Sequence, residues 1–159
     1  MFDRNSTIII CILAVVLLSA CALKTGDTNQ AHQVISTFFS ELSKGNYAKA
    51  AKLYGGSYEI LVSFNPEMDA DDHAGLWQNG CQINGLQCLT TRTITYNESN
   101  DRGEYIFTVE FNAPDGDLFV LEACCGEDQS TLSQFQFEYR VLEGKDGEFH
   151  VLDMPVYMP

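Results

Sequence analysis

Hydrophobic and polar residues alternate along this chain with two different periods, and the change between them divides it. Residues 8–18 are an uninterrupted apolar run. From Gln30 to Lys44 the apolar positions Ala31, Val34, Ile35, Phe38, Phe39 and Leu42 follow the i, i+3, i+4, i+7 rule, predicting a helix with all six on one face. Thr28 or Asn29 is placed to cap its start, and Gly45 stands where a left-handed residue is wanted after its end. Asn46 can cap a second helix in which Tyr47, Ala50, Ala51 and Tyr54 repeat the spacing, with Gly55-Gly56 as the stop. Tyr58–Phe64 is too short to declare a period and stays ambiguous between helix and strand. Asp69 or Asp71 can cap a further helix running through Leu76 and Trp77 to about Gly80-Cys81.

Beyond Cys88 the period drops to two. Tyr105, Phe107, Val109 and Phe111 alternate with more polar neighbours, and so do Phe135, Phe137, Tyr139 and Val141. Leu89–Tyr96, Leu118–Ala123 and Phe149–Asp153 bring the expected strands to five. Turn sequences at Ser99–Gly103, Pro114-Asp115-Gly116 and Gly144–Gly147 join them, so neighbouring strands are expected to be antiparallel. Helices first and strands afterwards is an α+β pattern.

Composition adds an address and removes some partners. The first residues have the three parts of an export signal: a polar start through Asn5, the apolar run, then the small residues Ser19-Ala20 before Cys21. Eleven apolar residues fall short of the roughly 20 needed to span a bilayer as a helix. Leu18-Ser19-Ala20-Cys21 resembles the lipobox of bacterial lipoproteins. That resemblance implies cleavage after residue 20, a diacylglyceryl group on Cys21, and a domain held outside the cytoplasm on the lipid bilayer. Residues 1–20 are then the signal peptide, 21–29 a lipidated tether and 30–159 one domain. Ala22, where some lipoproteins carry an inner-membrane retention aspartate, leans toward the outer membrane without fixing which membrane it is. The net charge of −13 repels polyanions, so nucleic acid is not expected as a partner.

The stretch FFSELSKGNYAKAAKLYGG, Phe38–Gly56, is similar to the opening of small lipoproteins of the NTF2-like (cystatin-related) superfamily. The resemblance implies helices packed on a curved antiparallel sheet, in a cone with a pocket at its mouth. Members include dehydratases, isomerases and many non-catalytic binding modules, so the fold does not select an activity.

Four cysteines would lie in the exported domain: Cys81, Cys88, Cys124 and Cys125. In an oxidising compartment they read as two disulfides. The expected links cross from the 81/88 segment to the 124/125 pair, because bonding adjacent cysteines strains the peptide between them. A local Cys81–Cys88 bridge is the alternative, and metal ligation with His73 a third, although the spacing does not suit a zinc site. No metal, cofactor or catalytic residue is therefore assigned. Asp69, Asp71, Asp72 and His73 form the densest polar cluster and are read as capping and solvated loop residues. His150 and Asp153 fall on opposite faces of the last strand. Asn97-Glu98-Ser99 matches a glycosylation sequon that a bacterial lipoprotein would not use. Tyr47, Tyr54, Tyr58 and Trp77 are the candidate pocket lining, with core packing the simpler account of them. The expected function is a membrane-anchored lipoprotein binding a small molecule or an envelope protein without catalysis. The alternatives are an enzyme using a pocket carboxylate or histidine for proton transfer, and a structural envelope component.

Overall fold

The alternation in the second half of the chain becomes a four-stranded antiparallel sheet, curved and open, with helices preceding it. A computed structural model describes residues 27–122 and 133–158. Helix α1 covers residues 27–43, so Thr28 and Asn29 lie inside it rather than capping it. Then come α2 (Tyr47–Lys52), α3 (Glu59–Phe64) and α4 (His73–Gln82). The strands are β1 (Thr91–Ser99), β2 (Tyr105–Phe111), β3 (Phe137–Glu143) and β4 (Phe149–Val151), side by side in chain order.

Helix α1 ends as its sequence requires. Gly45, at φ +74, donates to the Leu42 carbonyl (3.0 Å), and Asn46 donates to that of Glu41 (2.8 Å). This paired closure satisfies two carbonyls that the helix end would leave open. Asn46 occupies the N-cap of α2, but its side chain makes no capping bond. The ambiguous stretch after Tyr58 is helical. Asp72, not Asp69 or Asp71, caps α4, accepting from the Gly75 amide at 3.0 Å.

The core sits between α1 and one face of the sheet. Ile35, Phe38, Phe39 and Leu42 are buried, as are Phe107, Val109 and Phe111 of β2 and Phe137, Tyr139 and Val141 of β3. Phe39 joins the two layers, its ring centroid 4.9 Å from that of Phe111 and 4.8 Å from that of Tyr139, both edge-on.

Two expectations about the sheet need correction. Leu118–Ala123 does not form a fifth strand in the part described, residues 118–122. The Asp115-Gly116 turn does reverse the chain, and the Phe119 amide reaches the Phe111 carbonyl (2.9 Å). However, β3 takes that edge of β2 as far as Val109, paired with Phe137, so the returning segment reaches only the short end of β2 beyond it. It makes only single bridges, Asn112 with Leu118 and Leu121 with Gln134. Phe135 in turn precedes β3 and is exposed. The outer edge of β4 is covered by the chain after α2, where Gly55 donates to the Val151 carbonyl and Val151 to that of Leu53.

Candidate functional site

Three of the four aromatics expected at a pocket lie together, and they are interior. Trp77 is fully buried and Tyr54 nearly so. The Trp77 indole N–H donates to the Tyr58 hydroxyl (3.0 Å), and the Tyr54 hydroxyl donates to the Ser57 carbonyl (3.1 Å). The Tyr54 and Trp77 rings meet edge-on at 5.0 Å, with Phe38 against both. His73 stacks in parallel on the half-buried Tyr58 at 3.9 Å. Burial drives the phenols of Tyr54 and Tyr58 above their ordinary value, with the neighbouring Tyr58 adding to the effect on Tyr54. They are neutral hydrogen-bonding groups that also fill space. Tyr47 stands apart on α2, where it accepts from the Gln82 amide at 3.3 Å. It lines an open depression of about 510 Å³ with Lys49, Asp72 and Gln78.

The other titratable candidates are engaged structurally. Asp69 accepts from the Asp71 amide (3.0 Å), and Asp72 holds the α4 cap. His150 and Asp153 do not converge. Asp153 accepts from the Arg140 backbone amide (2.7 Å) and pairs with its guanidinium (2.5 Å), whereas His150 Nε2 lies 3.7 Å from Asp146. Arg140 also reaches the nearly buried Glu104 at 3.7 Å. The hydrogen bonds to Asp153 raise the already high pKa of Arg140 further. This clamp ties β3 to the start of β2 and to the chain after β4. Its residues share no sequence period, which is why pattern reading passed over it. Among the described residues no group of three His, Cys, Asp or Glu side chains is placed to hold a metal.

Cys81 is bonded to Cys88, with Cα atoms 5.5 Å apart, so the expected crossed pairing is not formed. The backbone gives the reason. Helix α4 ends at Gln82 and the chain reverses through Gly85 (φ +85), where the Leu86 amide donates back to the Gly80 carbonyl at 2.9 Å. That reversal returns Cys88 to the side of Cys81. Cys21, Cys124 and Cys125 lie outside the described residues.

The stapled loop also builds the most exposed apolar surface of the described domain. Ile83 is 73% exposed at the end of α4; Ile60 (57%) and Phe64 (44%) lie one turn apart on α3. Tyr157 (46%) stacks on Phe64 at a centroid distance of 5.7 Å, and Met158 (38%) follows it. Phe64, Ile83, Tyr157 and Met158 line one depression of about 210 Å³. Beneath it, an amide chain links the elements: Asn79 donates to Asn65, and Asn65 to Asn84, each at 2.9 Å.

No family model matches the chain, and no curated protein is significantly similar to it in sequence. Among the described residues no helix is long and apolar enough to cross a membrane.

Proposed function

We propose that the chain is a bacterial lipoprotein of the cell envelope, anchored through acylated Cys21, whose NTF2-like domain is a non-catalytic binding module on the extracytoplasmic side. The observation that carries this reading is the Cys81–Cys88 disulfide, because such bonds persist in oxidising compartments and are rare in the cytosol. It agrees with the address carried by Leu18-Ser19-Ala20-Cys21. The helices packed on a curved open sheet support the NTF2-like assignment. Binding rather than catalysis is favoured because Arg140, Glu104, Asp153 and Asp72 are engaged with one another or with backbone, while large apolar side chains stand exposed on a braced mount.

Expression of the full chain in a bacterial host, with intact-mass measurement and detergent phase partitioning, tests the anchor. The expected product begins at Cys21, carries the mass of a diacylglyceryl group and partitions into detergent, because two or more acyl chains make attachment stable. Cys21→Ser should remain unprocessed or be released. A processed protein with unmodified Cys21 overturns the reading.

A further inference from the structure

We propose that the outer edge of β1 is self-complementary and pairs, antiparallel and about a twofold axis through Thr95, with the same edge of a second copy of this chain. The inference does not depend on the lipoprotein reading.

Strand β1 ends the sheet on its side, and among the described residues no backbone bridge reaches its outer edge. The segment returning after β2 lies across the sheet from it, with Phe119 bonded to Phe111 on the β3 side. An unpaired edge nine residues long is a template for another strand. The ladder fixes which groups it offers. The Asn112 amide donates toward β1, to the Thr90 carbonyl, so by alternation Thr108 also faces β1 and its partner Thr95 faces back. Ile94 and Tyr96 therefore direct their amides and carbonyls outward.

Bulges commonly blunt such edges, and β1 has two, at Arg92 and Asn97. Their placement makes the edge match itself. Residues opposite one another on neighbouring strands share a face. Thr91, Ile94, Tyr96 and Ser99 oppose Phe111, Val109, Phe107 and Tyr105, on the core face, whereas Thr93, Thr95 and Glu98 oppose residues of the outer face. Asn97 is on the outer face too, donating to the Thr108 hydroxyl (2.8 Å). So is Arg92: hydrogen bonds from Gln136 and Thr93, and then the Arg92 charge, hold the Glu110 carboxyl below its usual range. The order of faces thus reads the same in both directions from Thr95. In an antiparallel copy each bulge meets the other bulge, and the two ladders stay in step.

The chemistry of the pairs agrees. Arg92 meets Glu98 of the second copy, twice by symmetry; Ile94 meets Tyr96 on the core face; Thr95 meets its own copy; Thr91 and Thr93 meet Ser99 and Asn97. Opposite charges, β-branched with aromatic residues, and threonine with threonine are the favourable cross-strand combinations. Tyr96 is 37% exposed and gains cover in that pairing. Charge permits a second copy here although the chain carries −13. Leu89–Gly103 has Arg92 and Arg102 against Glu98 and Asp101, so this edge is neutral.

The test measures self-association of the full-length chain by sedimentation, in detergent with micelles in excess over protein. A concentration-dependent dimer is expected, and hydrogen–deuterium exchange at the Ile94 and Tyr96 amides should slow as it forms. Arg92→Glu and Glu98→Arg each turn two attractive pairs into repulsive ones and should weaken the dimer roughly tenfold or more. The double variant restores attraction and should return to within about threefold of the unaltered chain. Both side chains are exposed, and melting of the dilute monomer reads any cost within the chain, at Glu110, separately. A monomer up to about 0.1 mM overturns the proposal. So does a dimer indifferent to the single changes, a double variant that does not recover, or slowed exchange elsewhere with none in β1.

Discussion

Truncating Phe39 to alanine removes the ring on which the two layers meet, and its cost can be worked from its surroundings. Phe39 is fully buried, and its ring centroid lies 4.8–5.2 Å from those of Phe38, Phe111 and Tyr139, edge-on to each. Those three neighbours come from α1, β2 and β3, so the space cannot close without moving a helix against the sheet. Burial of this kind places Phe39→Ala at about 3–5 kcal/mol, transfer and cavity together. That is a large share of a typical stability of about 5–15 kcal/mol. Phe135 supplies the internal control, because its alternation with Phe137 suggests a core position while the structure leaves it 40% exposed before β3. Phe135→Ala should cost less than about 1 kcal/mol. Urea unfolding followed by circular dichroism measures both variants, provided the m-value stays constant. A loss below about 1 kcal/mol for Phe39→Ala, or equal losses at the two positions, would refute the packing of α1 on the sheet.

Three further outcomes follow from the same geometry. Cys81 and Cys88 are seven residues apart, so replacing both with alanine should cost about 2–3 kcal/mol in the chain-entropy account, and non-reducing peptide mapping should recover the 81–88 link; titratable thiols at both positions would contradict it. Burial raises the phenols of Tyr54 and Tyr139 above their ordinary value of 10.0, so above pH 10 the unfolded chain releases protons that the folded one keeps. That contribution is fully present below pH 10 and is lost as pH rises beyond it. Tyr54→Phe with Tyr139→Phe should flatten the fall in urea midpoint between about pH 10 and 11.5, whereas one step at 295 nm near pH 10 for every tyrosine, with the fold intact, would show the shifts absent. Arg140→Ala leaves the nearly buried Glu104 without its cation and should cost about 1–2 kcal/mol, discounted because the guanidinium is part-exposed; an unchanged urea midpoint would remove the clamp from the account.

The elements that were legible in the sequence are those whose burial has a period. Helix α1 and strands β2 and β3 each hide one face, and every second or every third to fourth residue carries that information. Strand β1 was located with less contrast, because it is exposed along most of its length and its pairing with β2 shifts register twice. The absent fifth strand marks where local pattern stops helping. Leu118–Ala123 has strand-like residues after a sound turn, yet how far they pair depends on how much edge is vacant, and β3, arriving later in the chain, takes the one beside β2 as far as Val109. That competition involves residues about twenty positions away and leaves no trace in the segment itself.

The cysteines and the exposed surface share one physical cause for their illegibility. Pairing Cys81 with Cys88 leaves Cys124 to bond its neighbour Cys125 across a strained peptide, and that argument pointed away from Cys81–Cys88. It omits the native geometry: the end of α4, the positive φ at Gly85 and the bond from Leu86 to Gly80 bring the two residues together before any bond forms. The same reversal lifts Ile83 to the surface and opens the backbone that captures residues 156–158. Ile60, Ile83 and Tyr157 are separated by 23 and 74 positions, so no window of periodicity contains them all. The aromatics that could be picked out in sequence, Tyr54, Tyr58 and Trp77, are dense because they pack together, whereas the exposed residues gather only after the fold is made. In this chain aromatic density marks the interior, and the exposed apolar surface is assembled by tertiary closure.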